Sequence, residues 1–292
     1  MLLTVDVGNT TTRFGLFADA FAAGADAGAC AEPLGTWEVT TPERLTVDEA
    51  RLATEQALAA LSPEGGLAQP LPHARVQSRL GSHGERALDA ILSCVVPALE
   101  TAWTRALAAI CPSRPLVVGP GLKTGMHLSY DDPSEIGSDR IADAVAARER
   151  YGAPAVVVDL GTTTNIEVVD AKGAFAGGLI APGLALGARS LSGAAARLPT
   201  VELRAPRQVI GKSTREAMRA GIVLGEAARI DGLLDMVVDE LRGGASDAPQ
   251  PAIVLTGDDA SAMAAILRHD AAVDDTLTLR GLAALHRLNR RR

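Results

Sequence analysis

The sequence predicts an α/β chain of two similarly built lobes, each a mixed sheet flanked by helices. Two observations point there. The tract Asp6-Val-Gly-Asn-Thr-Thr11 returns as Asp159-Leu-Gly-Thr-Thr-Thr164, about half the chain later, and each copy ends an apolar strand that opens a β-meander. Strand-like apolar runs also alternate with stretches of helical periodicity throughout, the pattern of layered α/β folds. A length of 292 residues suits two domains of ordinary size, with the boundary expected between 1–115 and 116–292.

The elements follow in order. Leu2 to Val7 reads as a strand, and Arg13 to Phe17 returns from it as a hairpin. A third strand is expected around Thr36 to Thr40, then a helix from Val47 to Leu61 with its softer face at Leu52, Ala53, Gln56, Ala57 and Ala60. From Ser62 to Arg86 the composition turns to Gly, Pro, Ser and His, which predicts a mobile loop. Ala87 to Val96 suits a buried strand, and Pro97 sits well in the first turn of a helix to Ile110. Leu116 to Val118 is a further strand. The second half repeats the scheme: a helix from Ser138 to Arg150, then strands at Ala155–Asp159, Asn165–Val169 and Ala174–Leu179. Helices at Gly183–Leu198 and Thr214–Leu241 precede a strand at Ala252–Thr256 and a helix from Asp259 to His269. The turn from Gly243 to Pro251 is too short for a domain linker.

Composition narrows the function classes. Hydrophobic residues make up 47% but aromatics only 3%, so the core must be aliphatic and base-stacking platforms are not expected. A net charge of -7 repels a phosphate backbone, and Arg290-Arg291-Arg292 reads as a solvated tail complementing the end of a last helix. The three cysteines, Cys30, Cys94 and Cys111, lack the spacing of a disulfide framework or zinc site. No apolar run is long enough to span a bilayer, and Asp6 interrupts the first one too early for a signal peptide. A cytoplasmic protein with no membrane or nucleic-acid partner is expected.

The repeated tract carries the chemistry. A strand delivers an Asp at its end, a Gly permits a tight turn, and main-chain N–H groups and hydroxyls in that turn can hold phosphate oxygens. One copy would be an ordinary hairpin turn. Two copies suggest related lobes gripping one nucleotide across a cleft, with each Asp near a metal or cation. Other phosphate motifs fail: Gly211-Lys-Ser213 ends like a Walker A loop, but Pro206 stands where its first glycine belongs. Gly119-Pro-Gly121 lacks the helix a dinucleotide loop would open. The five histidines, at 73, 83, 127, 269 and 286, show no metal-ligand spacing.

The duplicated loops resemble those of the actin/hexokinase/Hsp70 superfamily, whose lobes are ribonuclease H-like. The segment Tyr130-Asp-Asp-Pro-Ser-Glu-Ile-Gly-Ser-Asp-Arg140 narrows the resemblance, being similar to the Tyr-Asp-x-Pro-x-x-(Val/Ile/Leu)-Gly-x-Asp-Arg signature of type III pantothenate kinases. Asp6-x-Gly-Asn-Thr10, Asp159-x-Gly-Thr162, Gly177-Gly-x-Ile-x-Pro-Gly183, Leu198-Pro199 and Gly211-Lys-Ser-Thr214 follow the family order. The resemblance implies transfer of the ATP γ-phosphoryl group to pantothenate. It implies Asp139 as general base, Arg140 as substrate ligand, and Tyr130, Gly137, Ser138 and Thr214 completing the pantothenate pocket. The ATP phosphates would lie on Thr162 and on residues 6–13: Asp6, Val7, Gly8, Asn9, Thr10, Thr11, Thr12 and Arg13. Asp159 would coordinate a monovalent cation, K⁺ or NH₄⁺, with Mg²⁺ carried by ATP, in a homodimer with the pocket at the subunit interface. Taken by themselves, Ser138-Asp139 could cap a helix, Tyr130 could simply pack, and Thr214 could begin the next helix. A non-catalytic regulatory protein on the same fold is the competing expectation. The family's Thr-Gly-Gly is replaced here by Thr256-Gly-Asp258, which predicts weak ATP affinity or a broader nucleotide preference.

Overall fold

The computed structural model describes residues 1–18, 32–61, 88–194, 198–243, 245 and 248–290. The loop expected at 62–86 and Cys30 lie outside the described residues, as do Arg291 and Arg292.

The first compact unit comprises Met1–Gly125, Asp132–Arg150 and Thr276–Arg292. Its sheet holds β1 (Leu2–Val7), β2 (Thr11–Phe17), β3 (Gly35–Thr40), β4 (Asp89–Cys94) and β5 (Leu116–Val117), in the order β3-β2-β1-β4-β5. The first three strands form an antiparallel meander, while β4 runs parallel to β1 and β5 parallel to β4. Alternation sorts the side chains to two faces. Leu3, Val5, Val7, Phe14, Leu16 and Leu92 pack with helices α1 (Val47–Leu61) and α2 (Pro97–Ile110), centred on Trp103, whose ring meets Phe14 edge-on at 5.7 Å. The opposite face carries α7 (Leu277–Asn289), whose Leu279 lies beneath Gly15: a methyl there would stand 3.2 Å from Leu279 and 2.8 Å from the Thr4 hydroxyl. Beside it runs α3 (Ser138–Tyr151), so close that a Cβ on Gly281 of α7 would fall 1.9 Å from the Ala142 carbonyl oxygen. Only glycine allows that helix contact.

The second unit comprises Met126–Asp131 and Tyr151–Asp275. Strands β6 (Ala155–Leu160), β7 (Thr163–Val169), β8 (Phe175–Pro182), β9 (Ala252–Thr256) and β10 (Ala272–Val273) form a sheet in the order β10-β9-β6-β7-β8. The meander β6-β7-β8 is antiparallel, β9 is parallel to β6 and β10 to β9. Strand for strand this repeats the first sheet, so the duplication read in two short tracts extends to the topology of both units. Val156, Val158, Leu160, Ile166 and Leu255 pack against α4 (Leu184–Ala194), α5 (Thr214–Arg242) and α6 (Ala260–Ala264) through Leu184, Val223, Ile230, Leu234 and Met263.

Most expected elements are present within a residue or two. The helix expected from Asp259 to His269 ends at Ala264, because Asp231 of α5 takes the Arg268 and His269 N–H groups and turns the chain away. The two-residue β10 and the extent of α7 went unread. The expected boundary at 115 divides the sequence into two stretches; the compact units interleave them, with the helix after the acceptor motif and the last helix in the first unit.

Candidate active site

In the first unit the β1–β2 turn leaves four residues, Gly8 to Thr11, between the paired Val7 and Thr12, closed by the Gly8 N–H donating to the Thr11 carbonyl at 3.0 Å. The Thr12 and Thr41 hydroxyls meet at 2.8 Å, and Thr41 N–H donates to the Thr10 carbonyl at 2.9 Å, which ties the turn to the end of β3. Asp6 lies in one cross-sheet row with Ser93, Arg13 and Glu38. Arg13 is 3.8 Å from the Glu38 carboxylate, a surface pair of little energetic weight.

Ser93 links that row to the acceptor motif. Its buried hydroxyl lies 2.8 Å from that of Ser138, and Ser138 also accepts the Cys94 N–H at 3.2 Å. Ser138 therefore spends its hydroxyl on β4 and not on capping its own helix, as the sequence had allowed. The first turn of α3 is closed by Ile141 N–H donating to the Gly137 carbonyl at 3.1 Å. Asp139, the second residue of the helix, takes one of the first-turn N–H groups, its carboxylate accepting the Arg140 N–H at 2.7 Å. That bond and the Arg140 charge favour the ionised form, yet burial outweighs both and pushes the Asp139 carboxyl above its ordinary value. Gly137 makes room for it: a Cβ there would sit 2.4 Å from Asp139 Oδ1. Arg140 is buried. Thus Asp6, the first turn, Ser138, Asp139 and Arg140 gather at the C-terminal ends of β1 and β4.

In the second unit the equivalent turn is one residue shorter. Gly161, Thr162 and Thr163 separate the paired Leu160 and Thr164, and the Gly161 N–H donates to the Thr163 carbonyl at 3.0 Å. Asp159 lies in a row with Thr256 and Asn165, matching the hydroxyl that Ser93 places beside Asp6. Gly257, at φ +91°, packs its main chain on this corner, where a Cβ would stand 2.6 Å from Asp159 Oδ1 and 2.7 Å from the Leu160 main chain. The glycine retained from Thr-Gly-Gly thus serves the Asp159 turn. Asp258 follows it, and Asp259 has a carboxyl pushed upward by burial, by Asp258 and by Glu226. Gly183 presses on the turn from the other side: a Cβ there would lie 2.3 Å from the Gly161 carbonyl oxygen and 2.6 Å from that of Thr162. Carboxylate and main-chain carbonyl oxygens are the donors that hard cations take. Among the described residues, no group of three or more His, Cys, Asp or Glu is placed to hold a metal ion.

Tyr130 also belongs to the second unit. Residues 127–129 pair with Phe175, through Phe175 N–H to the His127 carbonyl and Ser129 N–H to the Phe175 carbonyl, and Tyr130 tilts against the Phe175 ring at 6.0 Å. Thr214 is the exposed first residue of α5, which Ser213 caps by accepting the Glu216 N–H at 3.3 Å. Beside it a hollow of about 440 Å³ is lined by Arg204, Arg207, Lys212, Glu216 and Arg219. The sequence reading missed Ser93 and the pair Glu226–Arg229 behind the second turn. Ser93 carried no signal, being one serine in an apolar strand, and the pair carried none either, being two charges among many on a helix that holds several others.

Comparisons with known proteins identify the family. The family model for type III pantothenate kinases matches residues 2–236. The type III pantothenate kinase of Anaeromyxobacter dehalogenans strain 2CP-C is 36% identical over 290 residues, covering 99% of this chain and 100% of that protein. That of Geobacter sulfurreducens is 36% identical over 291 residues, with 99% and 100% covered. Among solved structures, a Campylobacter jejuni protein described as a Baf family transcriptional activator superposes with a TM-score of 0.52 at 18% identity, over 98% of both chains, a likeness of fold alone. With the family model matched over most of its length and full-length relatives above one-third identity, the chain belongs to the type III pantothenate kinase family.

Proposed function

We propose that this chain transfers the γ-phosphoryl group of ATP to the terminal primary hydroxyl of pantothenate, giving 4′-phosphopantothenate, the first committed intermediate toward coenzyme A. The observation that carries the proposal is the junction in the first unit, where Ser93 joins the Asp6 turn to the helix that begins with Ser138, Asp139 and Arg140. The bond between Ser93 and Ser138 ties the start of α3, which carries the Asp139 carboxyl, to β4, the neighbour of the strand that feeds the Asp6 turn.

In the proposed step Asp139 accepts the hydroxyl proton while that oxygen bonds to the γ-phosphorus, and the β–γ bridging oxygen leaves with ADP. Help of this kind is typically worth ~10² to 10⁴ in rate. Its raised titration brings Asp139 closer to the working pH, where a base balances availability against strength. Positioning and charge neutralisation supply most of the remainder in phosphoryl transfer. Arg140 pairs with the pantothenate carboxylate, and Tyr130, Gly137, Ser138 and Thr214 complete that pocket. Thr162 and the residues from Asp6 to Arg13 hold the phosphates. A monovalent cation at Asp159, K⁺ or NH₄⁺, supplies countercharge, and Mg²⁺ accompanies ATP. The active form is a cytoplasmic homodimer.

Pantothenate-dependent ADP formation, measured with and without K⁺, tests this directly. Turnover that rises with K⁺ and is lost in Asp139→Asn is expected. Nucleotide binding with no turnover would point instead to a regulatory protein on this fold, and turnover with a different acceptor alone to another small-molecule kinase.

A further inference from the structure

We infer that Glu226 and Arg229, one turn apart on α5, act together as a positioning clasp that sets the shape of the second phosphate turn and so the affinity for the nucleotide. The inference rests on the reading of residues 161–163 as a phosphate turn. Glu226 is 7% exposed, at the level of the core positions Val223, Ala227 and Ile230 on the same helix. A carboxylate buried there is costly unless its oxygens are bonded. They are: the Thr164 hydroxyl donates to Glu226 Oε1 at 2.7 Å and Arg229 Nη2 to the same oxygen at 2.6 Å. Arg229 Nη2 also donates to the Pro182 carbonyl at 2.7 Å and lies 3.3 Å from the Thr164 hydroxyl.

Thr164 ends the turn, and Pro182 lies opposite its last residue on the neighbouring strand β8. Thr164 closes it, paired with Leu160. Pro182 pairs with Thr163 and leads directly into Gly183, whose N–H donates to the Thr162 carbonyl at 3.2 Å and whose Cα face presses on the Gly161 and Thr162 carbonyls. One guanidinium and one carboxylate thus hold the closing side of a three-residue loop together with the strand end that packs on it. An apolar pair would fill the same space at less cost, so the directional bonds are what the charges add.

The test is equilibrium binding of a fluorescent ATP analogue to the full chain without pantothenate, alongside steady-state KM values for both substrates. Arg229→Met and Glu226→Ala are expected to weaken analogue binding and raise the ATP KM by about tenfold or more, the size of a lost charge-assisted bond. The pantothenate KM should stay within about twofold, since only the nucleotide turn is affected. Glu226→Gln, which keeps an acceptor for Thr164, should recover most of the loss, and the double variant should be no worse than the poorer single, as for groups acting as one unit. Should Glu226→Ala fail to fold, Thr164→Val removes one bond of the clasp at constant shape and must itself weaken analogue binding. A lowered thermal midpoint with unchanged analogue binding, or equal rises in both KM values, overturns the clasp. Because analogue binding needs no acceptor, a chain that binds nucleotide but ignores pantothenate refutes the proposed function and leaves the clasp measurable.

Discussion

A carboxyl at the start of a helix ordinarily titrates low, because the first N–H groups and the helix dipole favour its charge. Asp139 accepts such an N–H and is still pushed upward, so desolvation wins at this position. Two outcomes follow. If Asp139 is the base, kcat should rise with pH through an apparent pKa above the ordinary carboxylate range, and Asp139→Asn should cost ~10² to 10⁴ in kcat while analogue binding persists. A profile flat from the ordinary carboxylate range to neutrality would remove Asp139 from that role. A raised folded-state pKa also means that the stability linked to the neutral acid is present below the unfolded value and lost as pH rises through the folded one. At neutral pH, Asp139→Asn should therefore melt at a higher temperature than the parent, a difference that closes in acid; thermal scans at both pH values decide it. Asp258 offers a second check, for its charge follows Gly257 on the Asp159 corner. Asp258→Gly should lower the KM for ATP; an unchanged value would separate that side chain from the nucleotide.

At the scale of elements, α7 is the piece that sequence periodicity did not delimit. Its buried stripe runs through Leu279, Leu282, Ala283 and His286, but its tightest contact is made by Gly281, which carries no hydrophobic signal at all. Gly281→Ala should destabilise the protein by ~1 to 3 kcal/mol or more, since the new methyl meets main chain and not a flexible side chain; denaturant unfolding measures it. The same change in Gly187 of α4, where an added Cβ meets nothing within 4 Å, serves as the control. Strands were easier to read, because β1, β4, β6 and β9 are near-continuous aliphatic runs bounded by Asp, Ser or Thr. Two-residue strands such as β5 and β10 have no period to detect; the apolar tract Leu116 to Val118 marked the first and nothing marked the second.

Across the whole molecule, the two sheets share one strand order and one arrangement of Asp beside a hydroxyl, yet their turns differ by a residue. A four-residue and a three-residue turn cannot offer the same set of N–H groups, so in the proposed phosphate role the two copies would not be interchangeable. Grafting Gly8–Thr11 in place of Gly161–Thr163 is expected to abolish turnover while leaving cooperative unfolding in place. The fold also governs the thiols. Burial pushes Cys94 up to about 11 and Cys111 up to about 12, so at pH 8 only ~10⁻³ or less of either is thiolate. Cys111 is buried and Cys94 half-buried, so in a Cys30→Ser background iodoacetamide should label Cys94 slowly and Cys111 only once the first unit opens; rapid native labelling of Cys111 would contradict its burial.

Local chemistry was enough to read the duplicated turns and the strand that feeds each, because each depends on neighbours a few residues apart: an Asp at a strand end and a Gly where a side chain would collide. The acceptor motif was legible through its resemblance to the family signature, since Ser138-Asp139 by itself reads equally as the start of a helix. Contacts between distant stretches were beyond it. The bond from Ser93 to Ser138, the packing of Gly257 and Gly183 on the second turn, and the Glu226–Arg229 pair behind it all join residues far apart in the chain. Burial, which reverses the expected titration of Asp139, likewise exists only once those segments have come together.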